Sequence, residues 1–249
     1  MKYTVLSCLI VLSFGLSSTA QALCEQPPGP RVTWIGCDKS GMDLSGANLN
    51  HAVLTRANLS GVNFQEARLD RADFGNADLT GADFSYAQLI NTRLVSATLT
   101  DARFVNAHMP GVRLSRAQLA QVDFSGADMS GAQLRGANLA GALLVGTNLN
   151  DADLDGADLS GADLSGSQLN RASLRGATLE NTVLVEADLS HARIDGGDLL
   201  NANFTDAQLS RANLHDTRMD GAIFEGARLD STIWRDRRRC RPGSIGQCD

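Results

Sequence analysis

Large apolar side chains recur at every fifth position from Leu44 to Trp234 without one slip of register. The run 42–236 contains 39 such pentapeptides in 195 residues. An α-helix buries a stripe with a period near 3.6, and a strand buries one with a period of 2. Neither fits a period of five over this length. A coil of polygonal cross-section does, with one pentapeptide per side and each turn of chain stacked on the last.

In each pentapeptide the large apolar residue is called the centre. Two positions earlier, Ala stands in 28 of the 39 repeats, so a small interior side chain accompanies each large one. The other three positions are rich in Asp, Asn, Ser, Thr, Arg and Gly and face water. Gly follows the centre by two positions in 16 repeats, where a turn with positive φ accepts it most readily. The phenylalanines count the sides. Of the seven phenylalanine centres, Phe64, Phe84, Phe104, Phe124, Phe204 and Phe224 fall on one face if the coil closes every 20 residues, and Phe74 alone does not. Met109 and Met129 are also 20 apart. Aromatic stacking gives such a column a physical reason, and the spacing predicts a four-sided coil.

The stretches Ala47-Asn48-Leu49, Ala77-Asp78-Leu79-Thr80-Gly81 and Ala157-Asp158-Leu159-Ser160-Gly161-Ala162-Asp163-Leu164-Ser165-Gly166 resemble the A-(D/N)-L-x-x signature of the pentapeptide repeat family. The resemblance covers about four fifths of the chain. It implies an all-β fold, a right-handed quadrilateral β-helix (a solenoid) of about ten 20-residue coils. At roughly 4.8 Å per coil this is a rod on the order of 45 Å long. Each coil of such a rod buries its centres only against its neighbours, so the end coils need covers. Lys39 stands where a centre is due, and the array is expected to fade there. The expected division is a signal peptide over 1–22, an N-terminal cap over 23–41, the β-helix over 42–236 and a C-terminal cap over 237–249.

The signal peptide is read from a basic start, an apolar stretch over 5–16 and the ending Ala20-Gln21-Ala22, with cleavage after Ala22. Its apolar stretch falls short of the roughly 20 residues that cross a bilayer. No other stretch reaches that length, so the chain is expected to be exported, periplasmic or extracellular, and not membrane-spanning. Cysteine usage agrees with export. Outside the signal, Cys24 and Cys37 precede the array, and Cys240 and Cys248 follow it. Four cysteines allow three pairings. A tall array holds its ends apart, which predicts bridges Cys24–Cys37 and Cys240–Cys248; the alternative is a zinc site at either end.

Little in the sequence points to catalysis or to a cofactor. His51, His108, His191 and His215 fall on separated columns or distant coils, so none has a partner for zinc or nucleophilic chemistry. No phosphate-cradling or nucleophile-elbow motif occurs. Carboxylates are densest at Asp151, Asp153, Asp155, Asp158 and Asp163. On successive sides of a coil these form a belt, whereas calcium needs six to eight converging oxygens. The formal charge of −6 argues against nucleic acid as a partner. Five arginines, Arg235, Arg237, Arg238, Arg239 and Arg241, sit together near the C-terminus and read as a solvated end, the alternative being contact with phosphate or a membrane surface.

One feature breaks the polar exterior. Leu143, Val145, Val183, Val185 and Ile223 flank centres of the phenylalanine-bearing face, and Val105 shares their column. Polar coils interrupt this stripe, which reads as a candidate contact surface for a partner or a second copy. The expected function is that of a non-enzymatic exported scaffold, a rod holding another protein or a cell-envelope component. The family resemblance implies an alternative, an acidic rod that imitates duplex DNA and binds a type II topoisomerase, which an export signal disfavours.

Overall fold

Each pentapeptide must place five amides, and the coil follows from where they go. In the side centred on Leu44, the Leu44 amide donates to Asn63 O of the next coil at 2.8 Å, and Gly46 N to Gln65 O at 2.8 Å. Ala47 N turns back to Leu44 O at 3.0 Å and closes a β-turn, while Arg68 N of the next coil bonds Ala47 O at 2.9 Å. The same pattern repeats from side to side. The second residue after the centre has positive φ on every side, from Gly36 at 65° to Ser231 at 59°. Positive φ at the third turn residue alone is the signature of a type II turn.

The structure is a computed structural model and describes residues 23–249; the expected signal peptide over 1–22 lies outside them. Every parallel bridge, from Thr33–Val53 to Asn213–Ile233, joins residues 20 apart. Four turns per closure give a four-sided solenoid. Each side contributes one bridging residue rather than an extended strand, because the turn consumes most of the pentapeptide. The ladder is therefore a β-helix built from isolated bridges.

The interior is filled by the centres and the small residues two positions before them, nearly all fully buried. Phe64, Phe84, Phe104 and Phe124 stack at centroid spacings of 4.7, 4.6 and 4.9 Å, and Phe204 stacks on Phe224 at 4.9 Å. Phe74, off that column, enters from the opposite side and meets Phe64 and Phe84 edge-on at 5.9 and 6.0 Å. Where Thr replaces the small residue, its hydroxyl finds a partner. Thr92, Thr147, Thr182 and Thr232 donate to the carbonyls of Leu69, Phe124, Leu159 and Leu209 at 2.7–2.9 Å.

At the N-terminal end, coil geometry reaches upstream of residue 42. Arg31 N already bonds Asn50 O at 2.9 Å, and Trp34 is fully buried as a centre. Lys39 occupies a centre position with its Nζ 4.6 Å from the Trp34 ring centroid. The ladder is made by backbone, so an end coil tolerates a lysine whose charge rests over an aromatic face. The first residues fold over this coil, with Trp34 Nε1 donating to Gln26 O at 3.1 Å. At the other end the tail runs back antiparallel, Arg228 opposite Ile245 and Ile233 opposite Arg239. Leu229 N bonds Ser244 O at 2.9 Å and Trp234 N bonds Arg238 O at 2.7 Å. The two cysteine pairs lie at these ends, with Cα–Cα distances of 5.5 Å for Cys24–Cys37 and 4.8 Å for Cys240–Cys248. As disulfides they leave no thiolate for zinc.

Candidate functional site

The outer residues stand in columns of side chains 20 apart, so the site must be sought across coils. On the phenylalanine-bearing face, Leu143, Val145 and Ile223 are exposed at 45, 41 and 47 %. Val183 and Val185 are half-buried, as is Val105. The bridges Leu143–Asp163, Asp163–Val183, Val183–Asn203 and Asn203–Ile223 place a polar coil between each apolar pair. Leu143 and Val145 flank the same buried centre, Leu144, and form an exposed apolar pair on this face.

The acidic belt does not converge. Asp151 pairs with Arg171 at 2.7 Å, and Asp158 and Asp163 accept from the amides and hydroxyls of Ser160 and Ser165. Asp155 is buried at 7 % exposure. It accepts from Ser173 Oγ at 2.5 Å and from the Arg175 guanidinium and amide. Burial works to raise the Asp155 carboxyl, but the Arg175 and Ser173 bonds outweigh it and hold the group below the usual carboxylate value. Asp155 in turn raises Arg175. No group of three His, Cys, Asp or Glu side chains among the described residues is arranged to hold a metal ion.

The histidines are dispersed, as their spacing indicates. His108 Nδ1 lies 3.1 Å from Asp128 Oδ2. His215 Nε2 accepts from Arg237 Nε at 2.7 Å, which ties one of the C-terminal arginines to the rod wall. His51 borders a small recess with Asp70 and Arg71. None of these places a nucleophile beside a base.

The face opposite the phenylalanine column, centred on Leu94, Leu114 and Leu134, carries a feature that sequence inspection passed over. Its side chains Arg93, Arg113, Arg116 and Arg135 cluster on three successive coils, and Arg113, Arg116 and Arg135 line a cleft of about 490 Å³ with Val95, Ser115, Gly136 and Asp155. A second cleft continues upward past Asp155, Arg175 and Asp195, along a corner where Gly136, Gly156, Gly176 and Gly196 remove the side chains. The signal was present as Arg93 and Arg113, 20 apart, with Arg116 and Arg135 on the same face, and it emerges only when the sequence is folded into columns.

Comparison with known proteins agrees with this architecture. The pentapeptide repeats family profile matches residues 40–94 and 97–226 in successive segments. HetL, a pentapeptide repeat protein involved in heterocyst differentiation regulation from the cyanobacterium Nostoc sp. strain PCC 7120, is 33 % identical. That match covers 84 % of this chain and 92 % of HetL with a TM-score of 0.59. A trypsin-treated form of QnrB1, a plasmid-mediated fluoroquinolone resistance protein, is 18 % identical over 75 % of this chain and 88 % of its own, with a TM-score of 0.57. At that identity the likeness concerns the fold alone. No curated protein matches the chain significantly. The repeat profile, the 20-residue coil and the similarity to HetL together establish that the chain belongs to the pentapeptide repeat family.

Proposed function

We propose that the protein is a non-enzymatic rod of about ten coils that works outside the cytoplasm, presenting flat faces to another protein or a cell-envelope component. The observation that carries the reading is the exposed pair Leu143 and Val145 on a rigid, flat side, in line with Val183, Val185 and Ile223. Rigid placement matters because a preformed surface has less freedom to lose on binding. Export is supported by two disulfides, which persist in oxidising compartments. It is further supported by the signal-like sequence over 1–22. No helix of the described residues is long and apolar enough to cross a membrane.

The test is capture of partners from the cell envelope by wild type and by Leu143→Asp/Val145→Asp, with fractionation to locate the protein. A partner, or a second copy, bound by wild type and lost in the variant is the expected result. Equal capture and an unchanged elution volume would remove this surface, and recovery of the protein from the cytoplasm would remove the export reading. A DNA-imitating rod, the alternative drawn from the family, fits poorly with the arginine cluster on the opposite face, since a phosphate-like surface requires continuous negative charge.

A further inference from the structure

The segments 92–96, 112–116 and 132–136 lie on one face in three consecutive coils and carry four arginines and no carboxylate, in a chain with 28 acids and 22 bases. The two outer members of this group are engaged. Arg93 is paired with Asp73 at 2.8 Å, and Arg135 reaches toward Asp153 at 3.9 Å and Asp155 at 3.7 Å. Arg113 and Arg116 form no ion pair among the described residues, and both border the same cleft. Gly136 borders that cleft and puts no side chain into it. A Cβ there would lie 4.0 Å from Arg116 Cγ, so a longer side chain would rest on the Arg116 stem.

Uncompensated like charges held close together on one coil repel one another, and a bound anion relieves that cost. A guanidinium presents a rigid fork of donors that matches carboxylate and phosphate oxygens. The neighbouring coil shows what one carboxylate needs, for Asp155 is satisfied chiefly by Arg175 and Ser173. The one carboxylate lining the cleft, Asp155, is already held by Arg175 and Ser173, so the two free guanidiniums beside Ser115 leave an excess of positive charge that suits a group with more charge and more acceptors. A phosphoryl group carries up to two charges and three strong acceptor oxygens. We infer that the cleft formed by Arg113, Arg116 and Arg135 is a binding site for a phosphoryl group, presented either by a small phosphorylated molecule or by an anionic lipid headgroup.

The test uses the full chain at low ionic strength, because exposed charges are screened beyond about 10 Å at 0.1 M salt. Pyrophosphate binding is measured by titration calorimetry for wild type, for Arg113→Gln/Arg116→Gln and for Arg193→Gln/Arg211→Gln. The last pair removes the same charge elsewhere on the rod. In parallel, each protein is sedimented with phosphatidylcholine vesicles with and without phosphatidylglycerol. Saturable binding that falls at least tenfold in the first variant, and less than twofold in the second, is expected in one arm or both. A loss confined to the vesicle arm assigns a lipid headgroup as the source, and a loss in the pyrophosphate arm assigns a free phosphorylated ligand. No saturable binding in either arm, or an equal loss in both variants, overturns the site.

Discussion

The residue just before each centre explains the Asp and Asn of the repeat. The residue after the centre is the one backbone amide in the pentapeptide that the coil ladder leaves unused, and a carboxylate or amide oxygen two positions earlier accepts from it. Asp43 does so for Ser45 at 3.1 Å, Asn48 for Asn50 at 3.2 Å and Asp83 for Ser85 at 2.9 Å. This is an Asx turn repeated along the rod. For Asp83, burial opposes ionisation, but bonds from Ser85 and Gln65 prevail and hold its carboxyl below the ordinary value of 3.8. Asp38 and Asp43 are lowered in the same sense, Asp38 chiefly by the Ser40 amide and Asp43 chiefly by the Ser45 hydroxyl. A carboxyl lowered in the folded state contributes stability that is complete above its unfolded value and is lost as pH falls through its folded value. The melting temperature should therefore hold steady down to about pH 4 and fall below it, and Asp83→Asn should remove part of that slope while keeping an acceptor oxygen. Thermal melts between pH 6 and pH 2 check this, and a variant with the full wild-type slope contradicts it. The bias toward Asp and Asn was legible in the sequence. Its cause was not, because the unused amide is defined only once the coil has been closed.

At the scale of one side and its column, the period-five register and the phenylalanine spacing were enough to predict four sides of five residues, since both depend on the sequence interval alone. The tight stack around Phe84 follows from that interval: Phe64 and Phe104 lie above and below it and Phe74 edge-on beside it. Phe84→Ala should cost about 3–5 kcal/mol, the usual range for a buried phenylalanine. In a solenoid, stability is distributed over neighbouring interfaces, so this gap should also uncouple the coils on either side. Urea unfolding should change from one transition to two, and a single transition of unchanged midpoint would contradict both claims. Other column features were hidden. The arginines at 93, 113, 116 and 135 are separated by up to 42 residues, and nothing in a linear reading brings them together. Lys39 is the converse case, a centre without an apolar side chain through which the backbone ladder alone carries the coil, its amide bonding Asn58 O at 2.8 Å.

The whole molecule has unequal ends. The tail covers the last coil along the Leu229 and Trp234 sides, and Cys240–Cys248 holds it in a short loop. Closing a loop of that size contributes about 2–3 kcal/mol on a chain-entropy estimate. Cys240→Ser/Cys248→Ser should lower the melting temperature and expose an unpaired edge, which favours contact between copies. Light scattering should then show a mass that rises with concentration; an unchanged melting point and mass would count against the cover. The two cysteine pairings were legible from their places outside the array, but how the tail pairs with the last coil was not, since its sequence lacks the repeat. The bonds that join one coil to the next run along the axis of the rod, and this has a mechanical consequence. Tension applied between the ends loads those bonds in series, so the weakest exposed coil peels first. Each detached coil frees 20 residues, a contour of roughly 70 Å at full extension. Stretched between two anchors, the protein would lengthen in discrete steps and act as a reserve of slack.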